Sequence, residues 1–310
     1  MRSCPNGKTL YLHIGIPKTA SSWLQSSVFC RFPHLDFFDS PRSGLFDSAE
    51  DLKDGGWLMA SVFKRSSHIW KDYGDAIFQD IFGDKNAWRA RQRNALISDE
   101  RIGRQGSRSA LLAAHLTGFR DVAADWGFTS VKVLFLIRRQ DRWLASHYAQ
   151  MSDRNPDAGQ ADFERFLYDI TSPRRSRYSF GTLLDFGSLY ATLAETLGPA
   201  NVTVLPYEHL QESPSDFLDK LATALDAPDR AALEAATATS ANVRSEGNIW
   251  KLRQKPGTSS IFRRKLPLGR NAEPNIELTP DLSLLVQNCY LKENVTFIRL
   301  TGIDLNQLGY

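Results

Sequence analysis

The sequence predicts an α/β fold: a central parallel sheet of about four to five strands flanked by helices on both faces, a three-layer sandwich. Three observations predict it. Short apolar runs rich in branched residues recur at Leu10 to Ile14, Ala95 to Ser98, Val131 to Ile137 and Val202 to Leu205, as buried strands do. Helical periodicity fills the gaps, over 107–126, 141–151, 182–197 and 214–225. The first and third runs lead into cationic residues, at the carboxyl edge where such sheets take their ligands.

The other segments carry less pattern. Residues 36–90 are irregular and rich in Gly, Ser and aromatics, and read as an excursion with short helices beside the cleft. Residues 152–181, rich in Arg, Asp, Ser and Pro, read as a mobile loop, and the polar, basic stretch 240–275 as a lid. With no repeat, low-complexity tract or linker in evidence, a single domain over residues 1–310 is expected.

Composition narrows the class. An apolar content of 42% and a charged content of 24% are ordinary for a globular protein. No apolar run approaches a membrane span, and M-R-S-C-P-N-G-K lacks the apolar core of a signal peptide, so a cytoplasmic location is expected. Cys4, Cys30 and Cys289 give neither a disulfide framework nor metal-ligand spacing. The net charge of +3 is modest, but basic residues cluster in R-R-Q-D-R, P-R-R-S-R, K-L-R-Q-K and F-R-R-K-L. Such clusters suit a polyanionic small ligand, an acidic acceptor or an anionic lipid surface. No nucleic-acid module accompanies them, so nucleic acid is not expected as a partner.

The first strand runs into an anion site. In L-Y-L-H-I-G-I-P-K-T-A-S-S-W (10–23), the run passes through Gly15 and Pro17 to Lys18, Thr19, Ala20, Ser21 and Ser22, with Trp23 opening a helix. That order presents backbone N–H groups and the positive end of a helix dipole to an anion such as phosphate or sulfate. Lys18 adds charge and three hydroxyls add donors. The loop is not Walker A, G-x-x-x-x-G-K-[ST], because Lys18 follows Pro17 and only Ile16 and Pro17 separate it from Gly15. Fewer amides are therefore available to wrap a polyphosphate. The Cβ of Ala20 resists a positive φ, so a slightly different loop path is expected there.

The third run, V-K-V-L-F-L-I, ends in Arg138 and Arg139, and Asp141 falls near the start of the next helix, where a carboxylate is favoured.

I-P-K-T-A-S-S-W resembles the phosphosulfate loop of the sulfotransferases that use 3'-phosphoadenosine 5'-phosphosulfate (PAPS), with Ala20 where that family usually has Gly. R-R-Q-D-R-W-L-A-S-H-Y resembles its second nucleotide motif: Arg138, Arg142, Ser146 and Tyr148 match, while Arg139 and Gln140 replace the usual Asn-Pro. V-L-P-Y-E-H-L (204–210), A-N-V-R-S (241–245) and the closing T-G-I-D-L-N-Q-L-G-Y are weaker echoes. The resemblance implies a bacterial-type, P-loop-like fold and PAPS as donor. It implies that Lys18, Thr19, Ala20, Ser21 and Ser22 hold the 5'-phosphate and sulfuryl oxygens, and that Arg138 and Ser146 hold the 3'-phosphate. Trp23 falls where cytosolic members stack a Trp on adenine; by itself it reads equally as a core aromatic. The competing reading is a P-loop kinase-like phosphotransferase using ATP. Against it stand P-K-T-A-S-S in place of G-K-[ST] and the basic motif for a phosphate that ATP lacks.

Sulfuryl transfer, like phosphoryl transfer, leans on in-line positioning and charge stabilisation. Lys18 is the group to neutralise the leaving oxygen. A hydroxyl acceptor needs a base. The best candidate is Glu100, in A-L-I-S-D-E-R-I at the end of the second run; Asp99 and His13 compete with it. A His within an apolar strand is more often a core residue, and His147 reads as packing. No metal is expected. The acceptor class stays open among saccharide, lipid and small molecule, because acceptor pockets are built on loops. Phe37, Phe38, Phe46, Trp57, Phe63, Trp70 and Tyr73 could line it, or form a satellite core.

Overall fold

The computed structural model describes residues 7–42, 45, 58–172, 183–227, 245–253 and 275–310. Five strands, β1 (Lys8–His13), β2 (Leu35–Asp39), β3 (Asn94–Ser98), β4 (Phe128–Ile137) and β5 (Val202–Pro206), form one sheet in the order β2-β3-β1-β4-β5. Every pairing in it is parallel. All four apolar runs lie in this sheet. The fifth strand, β2, falls inside the segment read as irregular. It is an edge strand only partly buried, and Asp36 and Asp39 interrupt its apolar character.

Side-chain alternation splits the core in two. Leu10 and Leu12 of β1, Ala95 and Ile97 of β3, and Val131, Val133 and Phe135 of β4 face one layer. Tyr11, Leu96, Leu134 and Leu136 face the other. The larger layer is built by α2 (Leu58–Phe63), α3 (Ile69–Phe82), α4 (Lys85–Ala90), α5 (Glu100–Gly103), α6 (Ser109–Asp125), α7 (Gln140–Met151), α8 (Gln160–Thr171), α9 (Phe186–Leu197) and the C-terminal α10 (Pro280–Thr301). The smaller layer holds α1 (Ser21–Trp23), which continues through a π-helical stretch Leu24–Val28 into a 3-10 turn Phe29–Arg31, and α11 (Pro214–Ala224). The result is the expected three-layer sandwich. No helix among the described residues is long and apolar enough to cross a membrane.

Two sequence expectations need correction, and a third falls mostly outside the described residues. Residues 36–90 hold β2 and the 14-residue α3, which buries Ile69, Trp70, Ile77, Phe78, Ile81 and Phe82. Phe63, Trp70, Phe78 and His115 form an aromatic core there, in which Trp70 Nε1 donates to His115 Nδ1 at 3.0 Å. Phe46 and Trp57 lie outside the described residues. Within 152–181, α8 is an amphipathic helix burying Phe163, Leu167 and Ile170; its polar flanks disguised the period. Residues 173–181 lie outside the description. Of the lid, the described parts contribute to a small antiparallel sheet, β6 (Ser245–Glu246), β7 (Ile249–Lys251) and β8 (Asn275–Glu277), with Trp250 buried against the body. Residues 240–244 and 254–274 lie outside the description, as does most of A-N-V-R-S. The helix α10 carries no counterpart in the periodic segments read from the sequence.

Candidate active site

The site forms where the carboxyl ends of β1, β3 and β4 meet. The chain leaves β1 toward β2 and β3 on one side and later returns to β4 on the other, which opens a crevice at this edge. Past His13 the backbone stays zipped to β4: Ile14 N donates to Leu134 O at 3.1 Å, Leu136 N to Gly15 O at 2.7 Å and Ile16 N to Leu136 O at 3.2 Å. On the β3 side, Gly103 N donates to Ile14 O at 2.9 Å. The approach is so close that a Cβ on Gly103 would lie 2.3 Å from that oxygen. Gly15 has φ 89°, and the peptide joining it to Ile16 is cis.

Three carbonyls of the loop are then tied to donors. Thr19 Oγ1 donates to Ile16 O at 2.6 Å, Trp143 Nε1 to Pro17 O at 2.5 Å and Arg138 Nη1 to Lys18 O at 3.0 Å. These bonds commit three carbonyl dipoles that would otherwise repel an anion. Lys18 and Ala20 both take left-handed backbone, φ 70° and 68°. Alternation of this kind makes a concave row of amides. Ala20 thus adopts the conformation its Cβ was expected to resist; its carbonyl accepts from Leu24 N at 3.0 Å and starts the helix, so the first-turn amides before Leu24 have no carbonyl behind them.

The predicted loop residues divide by environment. Lys18 is half-buried and Ser22 exposed. Thr19 is fully buried, its hydroxyl spent on the loop itself. Ser21 is buried with an unpartnered Oγ. Trp23, at 6% exposure, packs in the smaller core with Tyr11, Leu24 and Phe29, and its Nε1 has no hydrogen-bond partner.

Arg138 is buried at the end of β4, its guanidinium 4.7 Å over the Tyr207 ring, with Nε unpartnered. Burial pulls its pKa down. It enters α7 beside a fixed frame: Asp141 accepts from Arg139 at 2.7 Å and from Ser283 Oγ at 2.5 Å, while Glu208 accepts from Arg139 N at 3.0 Å and Tyr310 OH at 2.7 Å. Burial pushes the Glu208 carboxyl up. Ser146 is half-buried on α7. Arg142, one turn before it, binds Gly247 O at 3.2 Å and Asn248 Oδ1 at 3.1 Å, docking the small sheet onto α7. Tyr148 turns to the α8 side and donates to Asp162 at 2.7 Å.

At the β3 edge Asp99 is fully buried, accepts from Arg101 N at 3.0 Å and Arg101 Nη1 at 3.1 Å, and leaves Oδ2 unpartnered. Desolvation raises its pKa against the pull of Arg101. Glu100 opens α5 with its backbone against Gly15 and its side chain half-buried. His13 is sealed beneath the loop, with Nδ1 2.7 Å from Ser98 Oγ, and burial drives its pKa down to about 3.

Sequence reasoning missed several contributors. Trp143 holds the loop through Pro17 and carries His147 stacked at 4.8 Å. Burial first, then the charges of Arg104, Lys18 and Arg154, push His147 down to about 4. Arg104 and Arg154 therefore share the electrostatic environment of Lys18. The only sequence signal for Arg104 is its place just past Asp99-Glu100; Arg154 has none.

No protein-family model matches the chain, and no curated protein does. Among solved structures, a sulfotransferase from Alicyclobacillus acidocaldarius matches with a TM-score of 0.52 at 13% identity, covering 99% of each chain. The sulfotransferase domain of the Synechococcus PCC 7002 olefin synthase matches with a TM-score of 0.40 at 14% identity, over 76% of this chain and 79% of that one. Mouse sulfotransferase SULT7A1, solved with PAP, matches with a TM-score of 0.43 at 13% identity, over 97% and 87%. At these identities the first likeness is one of fold: the chain has the fold of the Alicyclobacillus sulfotransferase.

Proposed function

We propose that the protein is a PAPS-dependent sulfotransferase, acting on a hydroxyl or amine of a saccharide, lipid or small-molecule acceptor by in-line displacement. One observation carries the reading. Arg138 Nη1 donates to Lys18 O at 3.0 Å, so the loop suited to a phosphosulfate and the arginine suited to a second phosphate share one edge of the sheet. The residues fit a doubly anionic nucleotide. Ser21 Oγ and Arg138 Nε are buried polar atoms without protein partners, and the amides of the left-handed loop stand beside Lys18.

Bound, the donor supplies the sulfuryl group and a phosphate oxygen as leaving group. Lys18 would neutralise charge building on that oxygen, and the loop amides with Ser21 and Ser22 would hold the 5'-phosphate and sulfuryl oxygens. Arg138, with Ser146, would hold the 3'-phosphate; Tyr207 beneath its guanidinium fixes the plane. Thr19 positions the loop rather than the ligand, through Ile16 O. Glu100 is the base of this reading, because Asp99 is fully buried with one oxygen capping α5 and pairing Arg101, and His13 is sealed in the core.

Thermal unfolding with adenosine 3',5'-bisphosphate, against ATP with magnesium, tests the assignment. A ligand at a hundred times its Kd adds about 2.7 kcal/mol. Strong stabilisation by the bisphosphate alone is expected; the reverse ranking would replace sulfuryl transfer by phosphotransfer from ATP.

A further inference from the structure

The last register pair of β4 and β5 joins Ile137 to Pro206, so Arg138 and Tyr207 leave the sheet side by side. Tyr207 and Glu208 open the short helix Tyr207–Glu212. From there they hold Arg138 in two ways. The Tyr207 ring lies 4.7 Å from the guanidinium carbon, and Glu208 Oε1 accepts at 3.0 Å from Arg139 N, the amide of the peptide that joins Arg138 to α7. Glu208 Oε2 accepts from Tyr310 OH at 2.7 Å. We propose that Glu208 and Tyr310 are positioning residues for the Arg138 guanidinium and thereby set how strongly the site prefers a nucleotide that carries a 3'-phosphate. The proposal rests on the sulfuryl-transfer reading.

Arg138 has two tasks at once. Its Nη1 is spent on Lys18 O at 3.0 Å, so its other N–H groups meet a phosphate squarely only if the plane of the fork is fixed. The Tyr207 ring fixes the face of that plane. The peptide after Arg138 fixes where its stem starts, and Glu208 holds that peptide. A carboxyl group with a donor on each oxygen cannot swivel, and here the two donors come from segments far apart in the chain. The Arg139 guanidinium does not compete for Glu208, because it turns to Asp141 at 2.7 and 3.2 Å. Tyr310 is itself held in place. Its N donates to Leu305 O at 3.2 Å, Gln287 Nε2 of α10 donates to Gly309 O at 2.8 Å, and its ring packs edge-on to Phe186. Its hydroxyl is therefore delivered by the packed body of the protein. Charge couples the same groups: burial lowers the Arg138 pKa, and Tyr207, Glu208 and Tyr310 act against it. A buried carboxyl oxygen left without its donor is costly, so loss of the Tyr310 hydroxyl would turn Glu208 toward another partner and release the peptide beneath Arg138.

The test compares adenosine 3',5'-bisphosphate with adenosine 5'-phosphate, which lacks the group that Arg138 would hold. In calorimetric titration of the full chain the bisphosphate should bind more tightly by about tenfold or more. Glu208→Ala should shrink that advantage by about fivefold or more, with 5'-phosphate affinity within about twofold. Tyr310→Phe should shrink it by about threefold. Glu208→Gln should keep most of it, because the amide oxygen can accept from Arg139 N and the amide nitrogen can donate to the Tyr310 hydroxyl oxygen, so the geometry survives the loss of charge. Circular dichroism checks the fold of each variant. A merely structural contribution weakens both nucleotides alike and leaves their ratio unmoved. An unchanged ratio in Glu208→Ala and Tyr310→Phe, or an equal loss in Glu208→Ala and Glu208→Gln, would each overturn the proposal. If Glu208→Ala does not fold, the ratio in Tyr310→Phe decides alone. A native chain with no preference for the bisphosphate removes the sulfuryl-transfer reading and this inference with it. A native preference that no variant alters removes this inference alone.

Discussion

Arg138 Nη1 donates to the backbone carbonyl of Lys18 at 3.0 Å, across 120 residues of chain. The bond fixes the loop after β1 to the end of β4. A guanidinium can hold that carbonyl and still offer N–H groups to a phosphate, which an ammonium on a flexible stem cannot do with the same geometry.

Arg138→Lys therefore separates charge from shape. The positive charge is kept, but the fork that spans Lys18 O and a phosphate is lost. Adenosine 3',5'-bisphosphate affinity should fall by about tenfold or more, read by calorimetric titration, with the fold intact by circular dichroism.

Lys18→Ala removes charge from the face where the leaving oxygen would sit. Loss of such a positioned group costs about 10²–10³ in kcat. Single-turnover transfer from PAPS should drop by that factor, while bisphosphate affinity falls far less, because Arg138 and the loop amides remain. Equal losses in both would make Lys18 a binding residue only.

Ala20 and Gly103 make opposite predictions about glycine. Ala20 holds φ 68° and its methyl is half-buried against the smaller core. Ala20→Gly relieves the left-handed strain and should raise stability by about 0.5–1 kcal/mol in urea unfolding. Gly103→Ala would set a Cβ 2.3 Å from Ile14 O, pushing α5 off the loop. A loss of about 3 kcal/mol or more is expected, together with loss of bisphosphate binding.

Acid should destabilise the fold through its buried imidazoles. His147 and His13 are pushed down to about 4 and about 3, from an unfolded value of 6.5. Below that value the unfolded chain takes up protons that the folded chain refuses, so stability falls as pH drops from 6.5 toward 4 and 3. Asp99 and Glu208, raised by burial, act in the other direction, losing stability as pH rises through their folded values. His147→Gln should flatten the acid limb by one proton, about 1.4 kcal/mol per pH unit, in denaturant titrations between pH 6 and 4.5.

The legible elements were those with an uninterrupted period. The runs at 10–14, 95–98, 131–137 and 202–205 are buried at every position but Lys132 and Thr203 and had no competing pattern. β2 escaped notice because an edge strand buries little and tolerates Asp36 and Asp39. α8 escaped notice because its apolar residues lie within 152–181, a stretch otherwise rich in Arg, Asp, Ser and Pro. At the site, Lys18 and Arg138 could be named from their place at strand ends. Trp143 and Arg104 could not, since neither a carbonyl bonded by a distant indole nor a charge felt by a distant imidazole leaves a local signature.

By itself, then, the sequence determined the layered α/β class, the loop chemistry after the first strand and the cationic end of the fourth, because periodicity and turn residues are local properties of the chain. Which carboxylate caps α5, which donors hold the loop carbonyls, and how α7 and α8 part to leave a cleft were decided only by the tertiary structure. These depend on packing between segments far apart in the chain, where burial and partner geometry assign each side chain its role.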